Sequence, residues 1–245
     1  MVGTAYIESV YNFYAGVYDF VFERFFAEGR RRAVAAIASR PGERILEVGV
    51  GTGACIPLFP DSVHFTGIDL SQGMLDEAKI RKQKAEWNHV RLMKMDATKL
   101  DFPDDSFDAV LAAYFITTVP DPRAVVQEMK RVCRRGGRLV FVNHFMAPNV
   151  FINDVELALA PLFWRVGWRS DLKMDNFLKM TNLSPEKVEL VDRLGLWRTL
   201  HCTNHKNAAG PEEERPTRTF IPQALRRWGK RLATVRMRKT ERVRD

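Results

Sequence analysis

Residues Ile45-Leu-Glu-Val-Gly-Val-Gly-Thr-Gly53 run from an apolar strand pattern into three closely spaced glycines, and Asp69 closes a second apolar run, His64-Phe-Thr-Gly-Ile-Asp69. Glycine accepts backbone conformations that a Cβ forbids, so Gly49, Gly51 and Gly53 let a ligand lie against bare main chain. An acid at the tip of the following strand accepts hydrogen bonds from a ribose. Together these features describe a nucleoside-cofactor pocket at the first turn of an α/β sheet. They leave the cofactor open, because Gly49-x-Gly51-x-x-Ala54 with an acid twenty residues past Gly49 also meets the loose dinucleotide fingerprint.

Three details turn the choice toward S-adenosylmethionine. Glu47, two residues before the first glycine, faces the expected pocket with a carboxylate that suits an ammonium group and repels a pyrophosphate. The third glycine comes early, at Gly53, so the loop opens sideways and does not aim a helix N-terminus at phosphates. Asp96 closes a third apolar run, Val90-Arg-Leu-Met-Lys-Met-Asp96, where it can accept from an adenine amino group. Three carboxylates around one ligand suit a cationic sulfonium. In this order and spacing the chain resembles the class I S-adenosylmethionine-dependent methyltransferases: Glu47 to Gly53 resembles their first motif, Asp69 their ribose acid, and Asp96-Ala97 their adenine contact. The resemblance implies a Rossmann-like α/β fold, a central, mostly parallel seven-stranded sheet with helices on both faces and an antiparallel C-terminal hairpin. It also implies S-adenosylmethionine as cofactor, S-adenosylhomocysteine as product, and no metal. Tyr18, Leu70, Met74 and Tyr114 are further candidate cofactor contacts. A nicotinamide oxidoreductase of the short-chain type is a distant alternative; it needs Tyr-x-x-x-Lys, and none of the five tyrosines has a lysine four residues on.

The chain has 245 residues, 46% of them hydrophobic, which suffices for one large core and hardly for two. No window approaches ~18 uninterrupted apolar residues, and the longest run, Ala109 to Val119, includes two threonines. Glu8 and the lack of a basic stretch ahead of an apolar one give no sign of a secretory signal. Cys55, Cys133 and Cys202 have no metal-ligand spacing and are expected as small buried hydrophobes in a reducing cytoplasm. Strands are expected at Arg44–Val48, His64–Ile68, Val90–Met95, Phe107–Ala113 and Arg138–Asn143. Helices are expected near Ala54–Phe59, Ser71–Glu86 and Pro122–Arg134, the last stopped by Gly136-Gly137. Pro148 to Leu183 reads as a mostly helical apolar insertion; Lys187–Asp192 with Trp197–Asn204 reads as a closing hairpin or, from Ser184-Pro185, as a helix start, and the resemblance implies the hairpin. Three regions follow: N-terminal aromatic helices over residues 1–40, a catalytic domain over 41–206, and a linker with a basic tail over 207–245.

Charge is concentrated at one end. Phe220 to Asp245 holds nine Arg or Lys residues against Glu241 and Asp245, so this stretch carries +7 of the chain's +8. Leu225, Trp228, Leu232 and Val235 recur there at helical spacing among Arg226, Arg227, Lys230 and Arg231, the pattern of a basic amphipathic helix. Such a helix is drawn to anionic lipid at ~1 kcal/mol per basic residue; nucleic acid and a solvated, disordered extension are the competing explanations. From Tyr6 to Phe26, Tyr11, Tyr14, Tyr18, Phe22 and Phe25 form one helical stripe and Val10, Phe13, Val17, Phe20 and Val21 another. Two apolar faces imply two apolar neighbours, the cofactor pocket and a membrane interface, unless the helix only packs on the sheet. Nucleic-acid binding predicts basic residues among these aromatics, and before Arg24 there is none.

The segments Phe13-Tyr-Ala-Gly-Val-Tyr-Asp-Phe20, Val119-Pro-Asp-Pro122, Val142-Asn-His-Phe145 and Val166-Gly-Trp-Arg-Ser-Asp171, added to the glycine motif, resemble the soluble, class I phosphatidylethanolamine N-methyltransferases of bacteria over residues 1 to about 205. The resemblance implies methylation of a phospholipid amine to phosphatidylcholine by a cytoplasmic enzyme lying against the inner, anionic face of the cell membrane. An amine of pKa ~10 must be presented neutral at pH 7, which costs ~4 kcal/mol, so some group must take its proton. His144, beside the carboxyl edge of the fifth strand, is the leading base or amine-orienting residue, with a structural histidine as the plain alternative. Tyr18 is the second catalytic candidate, and Tyr14, Trp164, Trp168 and Arg169 are candidate lipid contacts. Quinone C-methylation is the first alternative, since Tyr-Ala-x-x-Tyr-Asp is shared with those enzymes. RNA methylation stands further off, because Ala112-Ala-Tyr-Phe115 replaces the Asn-Pro-Pro-Tyr type of sequence used on base amines. The sequence leaves the oligomeric state open.

Overall fold

Ile45, Leu46 and Val48 are wholly buried on the two faces of strand β1 (Arg44–Val48), which sets β1 in the middle of a sheet covered on both sides. The computed structural model describes residues 26–146, 172–192 and 195–206, and residues 26–37 are helical and are called α1. Beyond β1 the chain alternates: β2 (His64–Asp69), α2 (Gln72–Lys84), β3 (Val90–Lys94), β4 (Phe107–Ala113), α3 (Pro122–Val132), β5 (Cys133–His144), α4 (Met174–Thr181), β6 (Lys187–Leu190) and β7 (Trp197–Thr203). The strands form one seven-stranded sheet in the order β3-β2-β1-β4-β5-β7-β6. Pairing is parallel from β3 through β5, and β7 runs antiparallel to both β5 and β6. This is the Rossmann-like class I methyltransferase architecture expected from the sequence, with its antiparallel closing hairpin.

Alternating side chains divide the core. Leu46, Val48, Val110 and Phe141 meet Val125, Met129 and Val132 of α3 and Phe177 of α4 on one face. Ile45, Phe65, Leu111 and Val142 meet Ala33, Val34 and Ile37 of α1 and Leu75 of α2 on the other. Glu47 alternates with Leu46 and Val48 and therefore shares the face that α1 covers. The chain leaves β1 for β2 and β3 on one side and returns to β4 on the other. That reversal opens a crevice beyond the carboxyl ends of β1 and β4, where ligands of open α/β sheets bind.

The structure corrects two of the expected helices. In place of a helix at Ala54–Phe59 there is one 3-10 turn, Ile56–Leu58. Pro57 and Pro60 leave space for a single turn, and Phe59, ahead of Pro60, is extended at φ −92°, ψ 145°. The helix expected to reach Arg134 ends at Val132, and Cys133 is already extended and paired with Phe107. Strand β5 thus starts five residues before Arg138, and Gly136-Gly137 lies inside its irregular first half. A Cβ at Gly137 would come within 2.8 Å of the Asp108 carbonyl oxygen, so glycine here serves close strand approach and not a helix end. Of the expected insertion, α4 is the helical part within the described residues. All three cysteines are free and buried, and no helix among the described residues is long and apolar enough to cross a membrane.

Candidate functional site

All three glycines of the β1 loop occupy the left-handed region, with φ of +72° at Gly49, +54° at Gly51 and +83° at Gly53. A Cβ at Gly49 would lie 2.1 Å from the Phe115 ring, whereas one at Gly51 would meet nothing within 4 Å. Gly49 thus lets the loop close on the segment after β4, and Gly51 leaves its main chain open to a ligand. The N–H groups of Gly49 and Val50 both donate to the Ile68 carbonyl at 2.9 Å, which folds the loop back over β2. Asp69, the last residue of β2, then accepts from Gly51 N–H on Oδ2 and from Ser71 N–H on Oδ1, each at 2.9 Å. Ser71 caps α2 by accepting from Met74 N–H at 3.2 Å. A carboxylate offers about four acceptor sites, so Asp69 keeps capacity for a ligand hydroxyl beside its backbone bonds.

Beyond these strand ends lies a cavity of about 510 Å3. Glu47, Gly49, Gly51, Asp69, Leu70, Met74, Asp96, Ala97 and Tyr114 all line it; Gly53 does not, and shapes the loop from behind. Asp96 sits two residues past the end of β3, where its Oδ1 accepts from both N–H and Oγ of Thr98 at 2.8 Å. Below that turn, Arg131 of α3 donates to the carbonyls of Leu100 and Phe102 and to Asp104 and Glu128, tying the β3–β4 loop to the helix. His144 is the last residue of β5 and does not line the cavity; its ring packs edge-on against Trp197 at 5.1 Å. Tyr14, Tyr18, Trp164, Trp168 and Arg169 lie outside the described residues.

Glu47 is the electrostatic centre of the cavity. It is 2% exposed, and its Oε2 has no hydrogen-bond partner among the described residues. Burial pushes its carboxyl up to about 8, against the opposing pull of a hydrogen bond from the Cys55 thiol and the positive charge of Arg30. Asp69 is also raised above the ordinary aspartate value by burial, an effect that the N–H groups of Ser71, Gly51 and Leu70 oppose. An unmatched buried carboxyl oxygen on a cavity wall fits an arriving ammonium, and the acceptor set of Glu47, Asp69 and Asp96 fits the amino-acid head, ribose and adenine of S-adenosylmethionine in that order.

Tyr114, expected as a cofactor contact, lines the cavity, whereas Arg30, Cys55 and Asn143 escaped the sequence as site residues. Tyr114, immediately after β4, holds φ at +56°, a conformation costly for a bulky side chain and concentrated at functional sites. Its N–H donates to the Val142 carbonyl at 2.7 Å and its hydroxyl to the Phe26 carbonyl at 3.2 Å. Its ring meets Phe26 at 4.4 Å and Trp197 at 5.2 Å, which builds an aromatic wall between α1 and β7. Asn143, wholly buried, accepts from Ile116 N–H at 3.1 Å and donates to Thr117 Oγ at 2.9 Å, locking the loop that follows Tyr114. Arg30 and Cys55 join the cavity lining beside Glu47. A polar Asn directly after the apolar run Leu139-Val-Phe-Val142 is the signal that could have found Asn143; Arg30 and Cys55 carry none in the sequence.

Residues 46–141 match a family model described as a methyltransferase domain. The chain is 44% identical over 160 residues to a phosphatidylethanolamine N-methyltransferase of Cereibacter sphaeroides, a match covering 65% of this chain and 78% of the relative. It is 40% identical over 120 residues to a demethylmenaquinone methyltransferase of Clavibacter sepedonicus, covering 49% of this chain and 46% of that one. Among solved structures, a S-adenosylmethionine-dependent methyltransferase of Thermotoga maritima shares the fold with a TM-score of 0.62 at 20% identity, over 80% of this chain and 99% of that one.

Proposed function

The chain belongs to the class I S-adenosylmethionine-dependent methyltransferases, and we propose that it methylates the amine of phosphatidylethanolamine and its partly methylated forms, leading to phosphatidylcholine. The 44% identity to the C. sphaeroides enzyme over 160 residues carries the choice of acceptor. When bound, S-adenosylmethionine supplies an electrophilic methyl group on a sulfonium. Glu47 would accept hydrogen bonds from the ammonium, Asp69 from the ribose hydroxyls and Asp96 from the adenine amine, while the open main chain at Gly51 would let the ligand approach closely. Leu70, Met74 and Ala97, which line the cavity, would enclose the nucleoside. Fixing both partners so that a neutral nitrogen stands ~3 Å from the methyl carbon, in line with the sulfur, contributes ~7 to 11 kcal/mol.

His144 is the proposed base or amine-orienting residue, with Tyr18 the second candidate. It stands two ring contacts from the cavity, against Trp197, which in turn meets Tyr114 in the wall. Tyr14, Trp164, Trp168 and Arg169 are the proposed lipid contacts, residues 1–40 the proposed cover of residues 41–206, and the basic stretch within 207–245 the proposed tie to an anionic membrane surface. Quinone C-methylation is the second reading, favoured by the 40% match over 120 residues. Label transfer from methyl-labelled S-adenosylmethionine separates the two. Label in phosphatidylethanolamine vesicles supports the first reading, and label confined to a demethylmenaquinol replaces it with the second.

A further inference from the structure

Among the described residues, the cavity lining carries the carboxylates Glu47, Asp69, Asp96 and Asp121 and one cation, Arg30. Arg30 belongs to α1, which approaches the sheet so closely at Gly29 that a Cβ there would fall 1.9 Å from Tyr114 Oη. That approach sets the next residue down onto the cavity on the face that Glu47 shares, and leaves Arg30 only 8% exposed. Burying a guanidinium is costly unless charge and hydrogen bonds compensate it. The field of Arg30 reaches Glu47 and Cys55, which places the cation beside the ammonium subsite.

A cation in that position weakens the capture of a simple ammonium through like-charge repulsion. It helps only when the ligand brings an anion to the same corner. An α-amino acid head does so, because its ammonium and carboxylate share one carbon, and an adjacent carboxylate and guanidinium match both ends of the zwitterion. A guanidinium has five donors in a planar fork, so partners elsewhere leave donors for a ligand carboxylate. We propose that Arg30 is a specificity-determining residue of the cofactor site, taking the α-carboxylate of an S-adenosyl amino acid while Glu47 takes the α-ammonium. The assignment rests on S-adenosylmethionine as the cofactor.

Calorimetric titration of the full chain with S-adenosylmethionine and with decarboxylated S-adenosylmethionine tests it. Arg30→Met is expected to weaken the first ligand about 10- to 100-fold, the range of a lost charge-assisted hydrogen-bonded contact, and to leave the second within about 3-fold. Arg30→Lys, which keeps the charge but not the fork, falls between wild type and Arg30→Met for the first ligand and carries the test if the methionine variant does not fold. Equal weakening of both ligands, or no weakening of the first, overturns the assignment and leaves the cofactor standing. Wild-type protein that binds neither nucleoside overturns both.

Discussion

Replacing Glu47 by Gln is expected to stabilise the ligand-free protein and to cripple the cofactor site. Gln keeps the shape of the side chain and cannot ionise. Glu47 is 2% exposed and its carboxyl is held up to about 8 against an ordinary value of 4.5, with burial the first cause. The sign follows from linkage: an acid whose folded value is raised contributes full stability below about 4.5 and loses it as pH rises toward about 8, because the unfolded chain releases the proton first. At about 1.36 kcal/mol per pKa unit, the loss reaches about 3 kcal/mol at pH 7 and levels near 5 kcal/mol above pH 8.5. Urea denaturation of ligand-free protein at pH 5.5, 7 and 8.5 reads this directly. Wild type is expected to lose several kcal/mol across the series through this one group, and Glu47→Gln to lose correspondingly less. In calorimetry the same variant is expected to bind S-adenosylmethionine about 10- to 100-fold more weakly, since a bond to a charged acceptor contributes about 1.5 to 3 kcal/mol. Parallel pH curves for wild type and variant would refute the idea that Glu47 is a strained, ligand-awaiting acid.

Gly49→Ala forces a Cβ to 2.1 Å from the Phe115 ring at a φ of +72°, and a loss of about 2 to 4 kcal/mol in denaturation is expected; an unchanged midpoint contradicts the loop geometry. Arg131→Ala removes bonds to Leu100, Phe102, Asp104 and Glu128, so hydrogen exchange is expected to quicken across residues 97–105 at a cost of about 2 to 3 kcal/mol. Protection equal to wild type would mean that the β3–β4 loop is held by other means. His144→Ala is expected to lower turnover about 100-fold or more and to remove an ionisation from the pH–rate profile, with S-adenosylmethionine affinity kept within about 3-fold. Full turnover from pH 6 to 9 removes His144 from the chemistry.

The sheet and the glycine loop were legible because their causes are local. A strand that ends in three glycines announces positive φ, and φ is positive at Gly49, Gly51 and Gly53. Asp69 and Asp96 could be named because carboxylates at strand ends converge on one crevice in a parallel sheet. The helix expected after Gly53 does not form for a local reason, the pair Pro57 and Pro60, which restrict the residues before them. The end of α3 failed for a non-local one: Cys133 leaves the helix to pair with Phe107, and no feature within the helix reports that. Arg30 was invisible because it reaches Glu47 through the packing of α1 on the sheet, permitted by Gly29 seventeen residues upstream of Leu46. The strained Tyr114 and its contacts with Phe26 and Trp197 likewise depend on three elements distant in the chain.

A crystal structure of the full chain with S-adenosylhomocysteine tests the site most directly. The ammonium is expected within hydrogen-bonding distance of Glu47 Oε2, the ribose hydroxyls on Asp69 and the adenine amine beside Asp96. A nucleoside bound outside the crevice between β1 and β4, or lying reversed with its adenine against Glu47, would contradict the assignment of these three carboxylates.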